Sequence, residues 1–258
     1  MDFTIDTYLL LLNHLLNAGY RFQTVEEFVQ SDMQKVVALR HDVDRRPAFA
    51  LRMANLEHSL DIRGTYYFRI VPASNKPAII SDIVELGHEI GYHYEDLSIE
   101  RGDREKAFSR FISNLEYFRK FYPVKTCCMH GSPMSKWDNR DLWRSYSYKQ
   151  QGIIAEPYLD LNYNNILYLT DTGRRWDGSR FSVRDKVNRT SMDESPDWPD
   201  SRHIRKTMDI IEAIREELLP SRLMITLHPQ RWTNNRLWWL QELVLQNIKN
   251  YVKKHHYT

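Results

Sequence analysis

Apolar positions along this chain follow two rhythms. Some recur at three- and four-residue spacing, as on a helix with one buried face; others fall in short β-rich runs. The first rhythm predicts helices over about 4–18, from Pro47 through Leu56, and over about 76–86, 103–121, 203–218 and 236–253. The second predicts strands at Val36–Leu39 running on into Asp44, at Thr65–Phe68, at His88–His93 and at Lys125–Met129. Further strands are expected at 152–156, 165–170 and Leu223–Leu227. From about 172 to 200 neither rhythm holds, and 186–202, with Asp193, Glu194, Asp197 and Asp200, reads as an exposed acidic loop. Strands alternating with helices imply a parallel sheet. About seven of them in a single domain, 1–258, make a closed or nearly closed (β/α) barrel the expected α/β architecture.

Composition narrows the partners. The 258 residues carry 36 Lys and Arg against 34 Asp and Glu, a formal charge of +2, so the basic excess usual in nucleic-acid binders is missing. The only two cysteines, Cys127 and Cys128, are adjacent and build no disulfide framework. No glycine-rich nucleotide loop is present. The apolar stretch from Leu9 to Leu16 is broken by Asn13 and His14, preceded by Asp2 and Asp6, and far short of the roughly 20 residues of a membrane span. A soluble, cytoplasmic protein without membrane insertion is the expectation.

In parallel α/β sheets, sites form where several strand exits converge. Here four exits deliver histidine or aspartate. VVALR runs into His41, Asp42 and Asp44; KTCCM into His130; ILYLT into Asp171; and LMITL into His228, while GHEIGYH carries His88 and His93 with Glu95 and Asp96 following. Imidazole nitrogen and carboxylate oxygen suit a zinc-like cation. Taken singly, each has a plainer account. Asp42 and Asp44 fit turn chemistry, and a lone histidine after a strand fits a structural hydrogen bond. His88, five residues from His93, points to the other face of its strand and reads as structural. His14, His58, His203, His255 and His256 lie on predicted helices or the tail and receive no role.

HDVD after a strand, LGHEIGYH some 45 residues on, and ITLH near the C-terminus resemble the polysaccharide deacetylases of carbohydrate esterase family four. The likeness spans Val36 to His228. It implies a distorted (β/α) barrel of about seven strands and a divalent metal ion, zinc first among zinc, nickel, cobalt and iron. The implied activity is hydrolysis of an acyl group, N-acetyl in the simplest case, from a small-molecule or oligosaccharide substrate. By position, Asp42 matches the general base, Asp44 and His93 match metal ligands, and His228 matches the general acid. Two departures stand out. The second metal histidine is expected four residues after His93, where this chain has Leu97; His130 is the preferred third ligand, with Asp96 and Glu95 behind it. The arginine that positions the base is also missing, leaving Arg40 or Arg174 to stand in. Asp171 is placed to orient His228. Trp137, Trp176 and Trp232 are candidates to stack on a sugar ring, with core packing an equally good account. Arg174, Arg175 and Arg231 hint at an anionic substrate group. A non-catalytic carbohydrate-binding protein on the same fold, or a hydrolase of a non-sugar amide, are the competing readings.

Overall fold

The computed structural model describes residues 1–177, Arg184, Val187 and 204–256, with side chains as far as Tyr251. Seven strands form one sheet: β1 Arg21–Gln23, β2 Val36–Val43, β3 Thr65–Phe68, β4 Glu89–Tyr94, β5 Cys127–Met129, β6 Leu167–Thr170 and β7 Arg222–Leu227. Around them lie α1 Ile5–Asn17, α2 Val25–Val29, α3 Pro47–Ser59, α4 Pro77–Glu85 and α5 Asp96–Ile99. The remaining helices are α6 Arg104–Arg119, α7 Pro157–Asp160, α8 Thr207–Arg215 and α9 Arg236–His256. Local sequence explains where the helices start. Thr4 accepts from the Thr7 amide at 3.1 Å ahead of α1, and Thr24 and Glu27 cap α2 reciprocally. Pro47 and Pro77 occupy the first turns of α3 and α4, where no N–H is required.

All strand pairs are parallel, in the order β5-β4-β3-β2-β7-β6, with β1 beside the start of β2. Among the described residues no ladder joins β5 to β6, so the sheet curls without closing. The expected strand at 152–156 is not formed. It contributes one parallel bridge, Ala155 to Thr126, before Glu156 caps α7 and Pro157, which has no N–H to give a ladder, begins it. β1, by contrast, was not anticipated, because a three-residue strand with one apolar residue carries no readable period. No helix among the described residues is long and apolar enough to cross a membrane.

Alternation along the strands sorts the side chains into an inside and an outside. On the concave face Val36 and Ala38 of β2, Tyr67 of β3, Cys128 of β5, Tyr168 of β6 and Met224 of β7 form one buried cluster. Val37 and Leu39, with Leu167, Leu169, Leu223, Ile225 and Leu227, pack outward among α1 and α8. Tyr66, Phe68, Ile90, Tyr92 and Tyr94 pack outward among α3, α4 and α6. Gly91 of β4 faces inward, and a Cβ there would collide with the Tyr67 ring. Room made by that glycine lets Tyr67 lie across the interior and donate to Thr126 Oγ1 at 2.8 Å.

Candidate active site

The same parity divides the Arg40–Asp44 segment. Arg40 and Asp42 follow Val36 and Ala38 inward, and His41 turns outward. His41 meets a wholly buried carboxylate, its Nε2 lying 2.9 Å from Glu57 Oε1, while Tyr8 and Tyr66 donate to Glu57 at 2.7 and 2.9 Å. His88 belongs to this outer cluster, 3.7 Å from Glu57, with its second nitrogen 3.0 Å from the Ala54 carbonyl. It is structural, as its parity implies. Inside, Arg40 grips Asp42 with two parallel hydrogen bonds, Nε to Oδ1 at 2.9 Å and Nη2 to Oδ2 at 2.6 Å. The guanidinium lies between the Tyr67 and Tyr158 rings, 5.6 and 4.9 Å from their centroids. Arg40 is thus the arginine that holds Asp42. Arg174 is elsewhere, stacked on Trp239 at 4.3 Å and donating to the Trp239 carbonyl.

Three imidazoles converge on Asp44, just past the end of β2. His93 Nε2 and His130 Nε2 each lie 3.6 Å from Asp44 Oδ1, and His228 Nε2 lies 3.9 Å from Oδ2. Each ring is anchored through its other nitrogen. His93 Nδ1 is 2.9 Å from the Cys128 carbonyl, His130 Nδ1 is 3.0 Å from Glu95 Oε2, and His228 Nδ1 is 2.6 Å from Asp171 Oδ1. For His93 and His130, an Nδ1 proton donated to the acceptor leaves the Nε2 lone pair aimed at Asp44, the arrangement typical of metal-binding histidines. Asp44 Oδ1 is itself buried and accepts no hydrogen bond. Burial alone would raise the Asp44 carboxyl, but the facing His93 and the nearby His130 and His228 outweigh it and hold it well below the usual carboxylate range.

The supports are dense. Asp171 accepts from the His228 amide at 3.0 Å, from Arg231 Nη1 at 2.6 Å and from the Trp232 indole at 2.7 Å. Burial and Arg231 both act to lower His228, yet Asp171 and Asp44 prevail and its pKa is raised. Glu95, gripped by Arg69 through both carboxylate oxygens, would be raised by burial but is pulled down to about 2 by His130 and Arg69.

A cavity of about 540 Å³ opens onto this group, with Asp42, Asp44, His93, His130 and His228 all in its wall. One side is closed by α9, which contributes Glu242, Gln246, Ile248 and Lys249. That contribution was illegible in the sequence, where α9 reads as an ordinary amphipathic helix. A second cleft of about 520 Å³ adjoins it at His130 and Pro133 and is lined by Trp137.

The structure does not bring every expected residue here. Asp96 turns away to the β4–α6 junction, where Tyr92 donates to both its oxygens and Asn114 to one, so it is no substitute ligand. Leu97 packs in the outer apolar cluster. Trp176 and Trp232 are core residues rather than sugar platforms. Arg175 pairs with Asp177 through two hydrogen bonds, so of the three arginines only Arg231 lines the cavity. His14 and His58 bond neighbouring carbonyls on the surface. His203, the side chains of His255 and His256, and nearly all of the acidic loop at 186–202 lie outside the described residues.

No family model matches the sequence, and no curated protein matches it. Solved structures do. A CE4-family pseudoenzyme from Bacillus anthracis is 10% identical, with a TM-score of 0.46; the match covers 85% of this chain and 62% of that one. The present chain therefore spans less than two thirds of that relative's length. A mutant of the peptidoglycan deacetylase PdaC from Bacillus subtilis is 11% identical with a TM-score of 0.45, over 87% of this chain and 94% of that one. A CE4 esterase from Streptococcus mutans is 14% identical with a TM-score of 0.46, over 93% and 91%. These are distant likenesses, and the chemistry has to be judged on this chain's own side chains.

On those, two of the three separations among Asp44, His93 and His130 suit a divalent cation. Ligand atoms sharing an ion at about 2.0–2.1 Å stand roughly 3–3.5 Å apart, close to the 3.6 Å separating Asp44 Oδ1 from each of two Nε2 atoms. A buried carboxylate oxygen without a donor is also what an ion would satisfy. Among the described residues, Asp42, His93 and Cys128 form the group whose donor atoms all lie within 4.8 Å of one another. It suits a cation less well. Arg40 already occupies both Asp42 oxygens.

Proposed function

We propose that this protein is a divergent metal-dependent hydrolase of the polysaccharide-deacetylase type, removing an acyl group, most simply N-acetyl, from a sugar or related amide. The observation that carries the reading is the convergence of His93 and His130 on a buried Asp44 oxygen that has no hydrogen-bond donor. Asp44, His93 and His130 would hold the ion, which when bound supplies Lewis acidity toward an acyl carbonyl and a more acidic water.

The remaining steps belong to protein groups. Asp42, locked by Arg40 and facing the cavity, accepts the proton of the attacking water; each of its oxygens keeps a lone pair beyond the one engaged. His228, with Nδ1 fixed by Asp171, presents Nε2 on another side of the cavity and delivers a proton to the departing amine. Asp171, bonded to Nδ1, favours the protonated ring that this duty requires. At about 540 Å³ the cavity has room for a monosaccharide unit, and the adjoining cleft with Trp137 would extend it toward an oligosaccharide.

The test is a zinc-equilibrated, desalted sample assayed for bound metal and for acetate release from N-acetylated sugars. One ion per chain is expected, lost on Asp44→Ala or His93→Ala. Asp42→Asn should keep the ion and lose turnover. Absence of any bound ion under metal-replete conditions would sink the hydrolase. That result would favour a second reading, a catalytically silent carbohydrate-binding protein, for which the burial of Leu97 in the core is the supporting observation.

A further inference from the structure

The cavity wall is unbalanced in charge. Arg45, Arg69, Arg184, Arg231 and Lys249 line it against three carboxylates, Asp42, Asp44 and Glu242. Most of these cations are committed. Arg45 pairs with Glu242 at 2.5 Å, Arg69 forks onto Glu95, and Arg184 donates to the carbonyls of Gly131, Ser132 and Ser135. Two are not. Lys249 on α9 is exposed and has no hydrogen bond or ion pair among the described residues. Arg231 spends Nη1 on Asp171, while its Nη2 has no acceptor among the described residues and, unlike the buried Nε, is not sealed from the cavity. An unneutralised ammonium and a guanidinium with a spare donor, on the wall of one cavity, form a receptor for an oxyanion.

From this we infer that the substrate carries an acidic group, phosphate or carboxylate, on its amine-bearing half, held by Lys249 and Arg231. His228 sets the side: Arg231 Nη1 lies 2.9 Å from His228 Nδ1, so the guanidinium stands at the Asp171-bonded edge of the ring that protonates the leaving nitrogen. This placement rests on the hydrolase reading; the preference for an anion does not. A cation held by Asp44 would add to the positive field of the wall.

Calorimetric titration of the zinc-loaded protein at low ionic strength tests the inference with three probes: N-acetylglucosamine, its 6-phosphate and N-acetylmuramic acid. At least one acidic probe should bind about tenfold more tightly than the neutral sugar, and which one does so separates phosphate from carboxylate. The advantage should collapse in Lys249→Gln and in high salt and persist in Lys249→Arg, with the same zinc content in all three proteins. Equal affinity for all probes, no binding of any, or an advantage that survives Lys249→Gln would overturn it. The two readings fail separately. Preference for an acidic probe without acetate release removes the hydrolase and leaves the anion receptor; acetate release from the neutral sugar without preference does the reverse.

Discussion

Arg40 and Asp42 show how two residues i and i+2 on one strand become a single unit. Both point inward, both are almost completely buried, and two parallel hydrogen bonds join them. Removing one partner strands a charge in the interior, so Arg40→Met should cost about 3–5 kcal/mol in a urea denaturation. The double variant Arg40→Met with Asp42→Leu should recover much of that loss; if it is no more stable than the single variant, the pair is not what fixes this strand end. His130 carries a different expectation. With Glu95 bonded to Nδ1 and Nε2 facing Asp44, His130→Ala should weaken zinc binding at least tenfold by competition titration, more than loss of a supporting residue would. An unchanged affinity would move the third ligand position to water. His228→Ala should slow turnover by about 10²–10⁴-fold with the metal retained.

At the scale of elements, the parallel strands and most helices were legible because burial on one face imposes a period on the sequence. β2, β3, β4 and β7 fall within a residue or two of where their apolar runs place them. What escaped was whatever period does not encode. β1 is too short to have one, and 152–156 has the composition of a strand but reaches the sheet where Glu156 and Pro157 turn the chain into α7. The strand-exit histidines and aspartates were visible, since parallel topology brings exits together. Their supports, Glu95 on Arg69 and Asp171 on Trp232, depend on rotamers that only packing decides. The β4–α6 junction yields a pH prediction. Burial raises the Asp96 carboxyl to about 7 despite its bonds to Tyr92 and Asn114 and the nearby Arg110. A carboxyl raised in the folded state stays protonated while its unfolded counterpart, near 4, ionises. Stability should therefore fall as pH rises from about 4 to about 7 and level off above that. Asp96→Asn should flatten this slope in denaturation curves; a slope unchanged in the variant would assign it to other groups.

The whole molecule is an open parallel sheet whose exits are walled on one side by α9. Arg45 to Glu242, Arg174 to the Trp239 carbonyl and Asn250 to the Gly173 carbonyl tie that helix to two loops, after β2 and after β6. Because Asp44, His93 and His130 come from the end of β2, from β4 and from the loop after β5, an ion joining them would bind only the folded chain. Zinc at a hundred times its dissociation constant should raise the melting temperature by about 5–10 °C, reversibly with a chelator. Asp44→Ala showing the same rise would place the ion elsewhere. The hydrogen on the Cα of Gly91 carries a long-range consequence of its own. It leaves space for Tyr67, whose ring lies against the guanidinium of Arg40, and Arg40 steadies Asp42. Gly91→Ala, which adds one methyl and alters no ionisable atom, should evict an aromatic ring and loosen the grip on Asp42 at one remove, a lesion that touches no group lining the cavity.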